Sequence, residues 1–192
     1  MKRNTTERLV ITGLMAALCY VGYAVFPAIS VTGTKVHIGN AFVVLGALLL
    51  DGVSGGLAGA IGLSLADILG GYAASAPRTF ITKLVIGLIV GLVAHKIAHI
   101  KEPHDKKGYV VKWSSIATVV ALLVNCVFEP ALKYVWYVLL TPNAEKAAEA
   151  LEKLMAITTY TTIVNAVINA IIAIILYQAL RPALKKAGIE IV

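Results

Sequence analysis

The hydrophobic positions of the chain are grouped into long apolar runs that are separated by short polar segments. An α-helix needs about 20 apolar residues to cross the hydrocarbon core of a bilayer. By this length, the pattern predicts membrane-spanning helices within residues 9–26, 39–69, 80–97, 113–140 and 157–180. The chain is therefore predicted to be an all-α integral membrane protein.

The run at residues 39–69 is too long for a single crossing. Asp51-Gly52, a dipeptide typical of turns, lies near its middle and divides it into two spans. The first of these spans is short, so we expect it to include residues 36–38 or to cross with little tilt. The pattern thus predicts six transmembrane helices.

The composition agrees with a membrane protein. Hydrophobic residues make up 59% of the 192 positions, charged residues make up 14%, and the mean hydropathy is +0.85. Residues 1–192 are predicted to form one membrane domain, and no removable signal peptide is expected. Cys19 and Cys126 both lie in apolar runs without a metal-binding spacing, so we expect no disulfide, metal site or cofactor in this chain.

The distribution of the basic residues predicts the orientation. With the N-terminus inside, eleven of the 17 lysines and arginines fall at the inner side and six at the outer side. Positively charged loops stay in the cytoplasm. An even number of spans then places both termini there, and the net charge of +7 needs no nucleic-acid partner to explain it.

The segment TPNAEKAAEALEKLM, residues 141–155, connects the fifth and sixth spans on the outer side. It begins with a helix-start signal and places alanine, leucine and methionine on one face. It is predicted to be a short amphipathic external helix between these spans. Its role is either to lie on the membrane surface or to act as a lid over the outer mouth.

Two polar stripes run along the last two spans, one on each. Asn125, Glu129 and Lys133 recur every four residues on the fifth span, with Trp136 close to the same face. The stripe on the sixth span consists of Thr158, Thr162, Asn165 and Asn169. A charge near the bilayer centre costs about 2.5–3.5 kcal/mol on insertion scales, so such groups are expected to face a partner or a cavity.

Asp67 and Tyr72 near the end of the third span, and Lys83 on the fourth, fall in the same outer half of the predicted bundle. These groups and the two stripes are predicted to converge on one pocket that opens to the outside. The alternative is that they pair with one another only to hold the bundle together, for instance Glu129 with Lys83 or Lys133. Polar pairs between membrane helices contribute only about 0.6 kcal/mol on average, which favours a ligand site.

The residue types also restrict the function. Amides, charged groups and aromatic side chains together suit a small, flat, polar molecule. The sequence has no GxxxxGK[ST] loop, so energy for active transport would come from a partner protein. A self-sufficient secondary transporter or channel is the alternative, but it predicts an inverted repeat that the sequence does not show. A membrane enzyme is a weaker alternative, because no nucleophile and base converge in the predicted topology.

Small residues at intervals of four permit close helix packing. Three such pairs lie on the second half of the 39–69 run and on the fourth span: Gly52 with Gly56, Gly55 with Gly59, and Gly87 with Gly91. On the first span, Gly13, Ala16 and Ala17 lie near the cytoplasmic end, where a second protein could dock.

The segments HIGNAFVVLGALLLDGVSGGLAGAIGLSLADILGGY and RTFITKLVIGLIVGLVAHKI resemble the substrate-binding S components of energy-coupling factor (ECF) transporters. The resemblance implies a vitamin-binding protein of the prokaryotic cell membrane. It also implies a transmembrane coupling subunit, the T component, and two ABC-type ATPases that use ATP. The first helix of such proteins contacts the coupling subunit through an Ala-x-x-x-Ala motif, for which Gly13-x-x-x-Ala17 is the nearest match here.

The resemblance also implies which residues bind the ligand. The last three spans and the outer loops form the site in this family, and the first loop acts as a gate, which corresponds to residues 30–37 here. The implied ligand-binding residues are Asn125, Glu129, Lys133, Trp136, Asn165, Asn169, Lys83 and His37. The segments look most like members assigned to hydroxymethylpyrimidine, a thiamine precursor, or to pyridoxine, with riboflavin and pantothenate as alternatives.

Overall fold

The computed structural model describes residues 5–24, 30–31, 34–103, 108–140 and 148–186. Six α-helices dominate it: α1 (Thr5–Ala24), α2 (Gly39–Leu49), α3 (Gly52–Leu69), α4 (Ala76–Gly91), α5 (Tyr109–Leu140) and α6 (Ala148–Lys186). Between α1 and α2, the two-residue strands β1 (Ser30–Val31) and β2 (Thr34–Lys35) pair antiparallel. The predicted all-α fold with about six helices is confirmed.

Five of these helices are long and apolar enough to cross a membrane, α4 together with its flanking turns over Ala73–Ile97, and α2, with 11 residues, is the short one. The predicted division of the 39–69 run is also confirmed. Asp51 is the N-cap residue of α3 and its carboxylate accepts hydrogen bonds from the backbone N–H groups of Val53 and Ser54. This cap satisfies two N–H groups that the first turn of a helix leaves without an internal partner.

Contacts at both ends show that α2 runs antiparallel to α1. At one end, the backbone N–H of Ile38 donates to the carbonyl of Gly22, 3.1 Å away. At the other end, Arg8 forms an ion pair with Asp51 at 2.5 Å. The α1 residues between Gly22 and Arg8 rise roughly 20 Å at about 1.5 Å per residue. Because Ile38 and Asp51 flank α2, the short helix spans the same depth as this part of α1.

The later helices continue the alternation. On the outer side, the Trp136 indole of α5 donates to the carbonyl of Ala74, which lies in a single 3₁₀ turn before α4. On the inner side, the Tyr109 hydroxyl donates to the carbonyl of Ala98, just after the π-helical turn Leu92–Ile97 that ends α4. The start of α1 and the end of α6 therefore lie on the same side, which the lysine and arginine count predicts to face the cytoplasm.

The short helix α2 occupies the centre of the bundle. All of its residues except Phe42 are buried, and it packs against α1, α3, α4 and α6. A helix that is apolar on all sides is stable only when it is surrounded. Asn40 is its one strongly polar residue, and its side chain is buried with the rest.

Glycines on α3 permit this arrangement. A methyl group added at Gly56 would lie 2.9 Å from the backbone oxygen of Leu84 on α4, and one added at Gly52 would lie 2.8 Å from that of Gly87. A methyl group added at Gly59 would overlap the side chain of Val43 on α2. The small-residue pairs of α3 and α4 thus serve packing within the chain.

The outer segment between α5 and α6 differs from its prediction. Residues 141–147, which include the predicted helix start, lie outside the described residues. From Ala148 onward, the segment forms the first turns of α6 and is continuous with the membrane span, so it is not a separate helix. Leu151, Leu154 and Met155 are partly buried while Glu152 and Lys153 are exposed, as the amphipathic pattern predicted.

We expect Gly87→Ala to destabilise the protein. The added methyl group would overlap the backbone of Gly56, and overpacking of a tight contact costs about 1–3 kcal/mol. Gly13→Ala is the matched control, because a methyl group there would meet no atom within 4 Å. Thermal unfolding in mild detergent should show a lower midpoint for Gly87→Ala only; equal midpoints would contradict the close contact of α3 and α4.

Candidate functional site

A polar cavity of about 80 Å³ lies between the outer ends of the helices. Its lining comes from α1, from the residues around β2, from α3, from the start of α4, and from α5 and α6. Most of the lining residues are charged, hydroxyl-bearing or aromatic, and Leu63 is an apolar exception. This composition is typical of a site that binds a small polar molecule.

An ion pair between two helices forms part of the cavity wall. The ammonium group of Lys83 on α4 is 3.3 Å from the carboxylate of Glu129 on α5. The side chain of Lys83 is only 4% exposed and that of Glu129 is 24% exposed. Asn125, one turn before Glu129, donates from its amide to the same carboxylate oxygen at 2.9 Å. The i, i+4 spacing on α5 therefore fixes the orientation of the carboxylate toward Lys83.

The remaining charges make the cavity predominantly positive. Lys35, Arg78, Lys83 and Lys133 line it together with Asp67 and Glu129, which gives four basic against two acidic side chains. Both acidic side chains already accept hydrogen bonds from other side chains of the protein. A cavity with this balance favours a ligand with electron-rich acceptor atoms.

Asp67 and Lys133 are each held by neighbouring hydroxyl groups. The Asp67 carboxylate accepts hydrogen bonds from the Tyr23 hydroxyl at 2.8 Å and from the Thr79 hydroxyl at 2.5 Å. Lys133 donates to the hydroxyl of Thr158 on α6 at 2.8 Å. These contacts connect α1, α3 and α4 on one side of the cavity and α5 with α6 on the other.

An aromatic group forms another part of the wall. The ammonium of Lys35 lies 5.0 Å from the ring centre of Tyr23 and 4.8 Å from that of Tyr72. The Tyr23 ring also contacts the His37 imidazole edge to face, with 4.8 Å between ring centres. The two tyrosine faces therefore hold a cation by a cation–π interaction, and the same faces suit a planar ligand ring.

Asn165 and Asn169 bind backbone groups of the segment that leads into α2. The Asn165 amide accepts from the His37 N–H at 2.9 Å and donates to the Lys35 carbonyl at 2.9 Å. Asn169 accepts from the Ala41 N–H at 2.7 Å and donates to the His37 carbonyl at 2.8 Å. Non-helical backbone within a membrane protein needs such partners.

The structure brings most of the residues predicted to bind a ligand together. Five of them line the cavity: His37, Lys83, Glu129, Lys133 and Asn165. The other three do not line it. Asn125 orients Glu129, Asn169 holds the backbone before α2, and Trp136 binds the carbonyl of Ala74.

Sequence reasoning missed several lining residues: Tyr23, Ser75, Arg78 and Thr79, as well as a lining role for Lys35. Arg78 and Thr79 lie in the RTFITK segment, one turn or more before Lys83, and that spacing was the available signal. Tyr23 and Lys35 come close only because α2 turns back beside α1. No regular spacing in the sequence connects them.

The residues predicted to dock a partner differ in their surroundings. Gly13 and Ala17 are exposed on the surface of α1, and a methyl group added at Gly13 would meet open space. Ala16 is partly buried, and its backbone carbonyl lies against Gly62 of α3. The exposed part of the predicted docking face is therefore Gly13 and Ala17.

The part of the chain that the structure describes contains no group of three or more histidine, cysteine, aspartate or glutamate side chains that could hold a metal ion. Cys19 and Cys126 are both free thiols. The cavity wall offers hydrogen-bonding groups, charges and aromatic faces.

Comparison with known proteins identifies the family. The family model described as "ECF-type riboflavin transporter, S component" matches residues 3–182. No curated protein and no solved structure matches the chain. Because the family model covers nearly the whole sequence, the chain belongs to the family of ECF-type riboflavin transporter S components.

Proposed function

We propose that this protein is the vitamin-binding subunit of an ECF-type importer in the cell membrane of a prokaryote. The observation that carries the proposal is the polar cavity at the outer ends of the helices, with the Lys83–Glu129 ion pair in its wall. The family assignment supports the same function. In this proposal the protein delivers its ligand through a T component and two ATPases, and only those ATPases use ATP.

The proposed ligand is a single-ring vitamin or precursor, either hydroxymethylpyrimidine or pyridoxine. A water molecule occupies about 30 Å³ of liquid volume, so the cavity of about 80 Å³ has room for roughly three waters, and even a single substituted ring would require some widening. A single ring requires less widening than a larger ligand does. The ring would stack on the tyrosine faces, while the hydroxyl groups and ring nitrogens would bind the surrounding charged and hydroxyl side chains.

Riboflavin is the second candidate, favoured by the description of the matching family. Its three fused rings and ribityl chain would require the cavity to widen much further than a single ring does. Pantothenate has no ring to stack on Tyr23 and Tyr72, so the aromatic part of the wall gives it no support.

Residues 30–37, of which 32 and 33 lie outside the described residues, are proposed to form the gate over the ligand. Lys35 projects from this segment onto the two tyrosine rings, where a ligand ring would stack. Asn165 and Asn169 hold the inner end of the same segment at the backbone of residues 35–41. Entry of a ligand would thus displace the side chain of Lys35, while the asparagines keep the backbone at the base of the gate in place.

The first helix is proposed to contact the T component through Gly13 and Ala17. A large fraction of the α1 surface is apolar and exposed, including Leu9, Val10 and Leu14. Small residues between these larger ones permit close approach of a partner helix.

We expect Glu129→Gln to weaken ligand binding by roughly 10- to 100-fold, because hydrogen bonds to charged groups contribute about 1.5–3 kcal/mol. The change also leaves Lys83 without its ionic partner. Glu149→Gln is the matched control, since Glu149 is 83% exposed and pairs only with Lys153 on the helix surface among its described contacts. Isothermal titration calorimetry in mild detergent measures the ligand affinity of both variants. An unchanged affinity in Glu129→Gln would show that this carboxylate does not contribute to ligand binding.

The identity of the ligand is tested with a panel of hydroxymethylpyrimidine, pyridoxine, riboflavin and pantothenate. We expect tight, one-to-one binding of one of the two single-ring compounds, measured by titration and by mass spectrometry of small molecules retained on purification. Tight binding of riboflavin alone would show that riboflavin, the second candidate, is the ligand. If none of the four binds, the vitamin-binding proposal fails for these ligands.

We expect Ala17→Leu to abolish or strongly slow ATP-dependent uptake in proteoliposomes that contain the complete importer. Ligand binding by the isolated protein should stay unchanged, because Ala17 is exposed on the surface of α1 and does not line the cavity. Ala179→Leu enlarges an exposed alanine on α6 and is the control. Normal uptake by Ala17→Leu would exclude the docking role of this face.

A further inference from the structure

A second, larger cavity opens at the inner side of the bundle, opposite the ligand cavity. It is a groove of about 490 Å³ between the residues that follow α4, the first turn of α5 and the last turns of α6. Its polar lining includes Lys101, Glu102, Tyr109, Gln178, Arg181 and Lys185. Neither the family assignment nor the proposed vitamin site gives this groove a role.

The described lining of the groove is basic. Lys101, Arg181 and Lys185 contribute three positive charges, and Glu102 contributes one negative charge. The Glu102 carboxylate lies 3.1 Å from the His99 imidazole, and the described lining keeps a net positive charge. Arg181 donates to the carbonyl of Ile100 at 3.4 Å, and this contact leaves the charge of its guanidinium in place.

Both ends of the groove offer further hydrogen-bond donors. Gln178 is held by a hydrogen bond from its amide to the Ser114 hydroxyl at 3.1 Å. The first turn of α5 forms the opposite wall. The backbone N–H groups in the first turn of a helix have no acceptor within the helix itself. Arginine beside such donors recognises phosphate oxygens well, because its planar guanidinium donates two parallel hydrogen bonds.

The depth of the groove in the membrane follows from its neighbours. Tyr109 and Trp113 lie together at the inner end of α5, with 6.2 Å between ring centres. Tyrosine and tryptophan are enriched at the level of the lipid headgroups. Val111 lines the groove, is 48% exposed and lies between the two aromatic residues in the sequence. The groove is therefore at the boundary between the acyl chains and the cytoplasm.

From this combination we propose that the inner groove binds the phosphate of an anionic lipid headgroup from the cytoplasmic leaflet. Arg181 and Lys185 bind the phosphate, and Lys101 adds to the positive field. The exposed apolar surface beside the groove accommodates the acyl chains. A free phosphate compound shares the headgroup chemistry, but the aromatic pair and Val111 favour a ligand that also has an apolar part.

The test measures lipid retained by the full-length protein. The protein is reconstituted in nanodiscs that contain equal amounts of phosphatidylglycerol and phosphatidylcholine, extracted in mild detergent and analysed by native mass spectrometry. We expect the wild-type protein to retain phosphatidylglycerol in preference to phosphatidylcholine. Arg181→Gln and Lys185→Gln should each reduce this retention about fivefold, which corresponds to the loss of one basic residue near the membrane surface.

Lys112→Gln is the matched control, because Lys112 is exposed on the same side of the protein and does not line the groove. It should retain the lipid as the wild-type protein does. Lys185 is itself exposed, so its substitution does not threaten folding. Arg181→Lys keeps the charge but removes the guanidinium, and it should lose part of the retention.

Three results would overturn the proposal. Equal retention of both lipids by the wild-type protein would exclude a selective site. An equal loss in Lys112→Gln would mean that the general surface charge, and not the groove, attracts the lipid. Displacement of the lipid by millimolar inorganic phosphate or glycerol phosphate would show that a free phosphate compound is the preferred ligand.

Discussion

Backbone groups inside a membrane protein have to find hydrogen-bond partners within the chain, because the bilayer interior provides no water. In this protein, that constraint is most demanding just before α2, where residues 35–38 pass into the bundle without helical structure. Asn165 and Asn169 on α6 satisfy four backbone groups of residues 35–41. The two asparagines thereby fix the entry of the central helix.

Several other features depend on this anchoring. A fixed entry point places α2 at the centre of the bundle, and α3 packs closely against it because glycines replace larger side chains at the contact. The same anchoring places His37 and Lys35 in the cavity wall, next to Tyr23 and Tyr72. The proposed gate is therefore built on the hydrogen bonds that stabilise the fold. A change in the asparagines would affect both the packing and the cavity.

The two ends of the bundle differ in their electrostatics. At the outer end, charged groups are partly buried and arranged in pairs or with hydroxyl partners, which suits a small ligand held by several specific contacts. At the inner end, basic side chains lie in an open groove at the level of the headgroups. The outer charges suit a specific ligand, and the inner charges suit attraction to the negative surface of the cytoplasmic leaflet. This difference agrees with the predicted orientation, in which the proposed ligand cavity faces outward.

The sequence determined the helical architecture, because hydrophobic run length and turn residues reflect bilayer thickness and local backbone preference directly. Asp51-Gly52 marked the division of α2 from α3, and the i, i+4 spacing of Asn125 and Glu129 indicated one polar face. The sequence could not show that the amides of Asn165 and Asn169 bind backbone groups, since such partners lie more than 100 positions away along the chain. It also could not place Tyr23 beside Lys35, because that contact depends on the return of the chain beside α1. Local preferences for helices, turns and membrane spans can be recognised in the sequence. The cavity, in contrast, depends on which distant segments the packed bundle brings together.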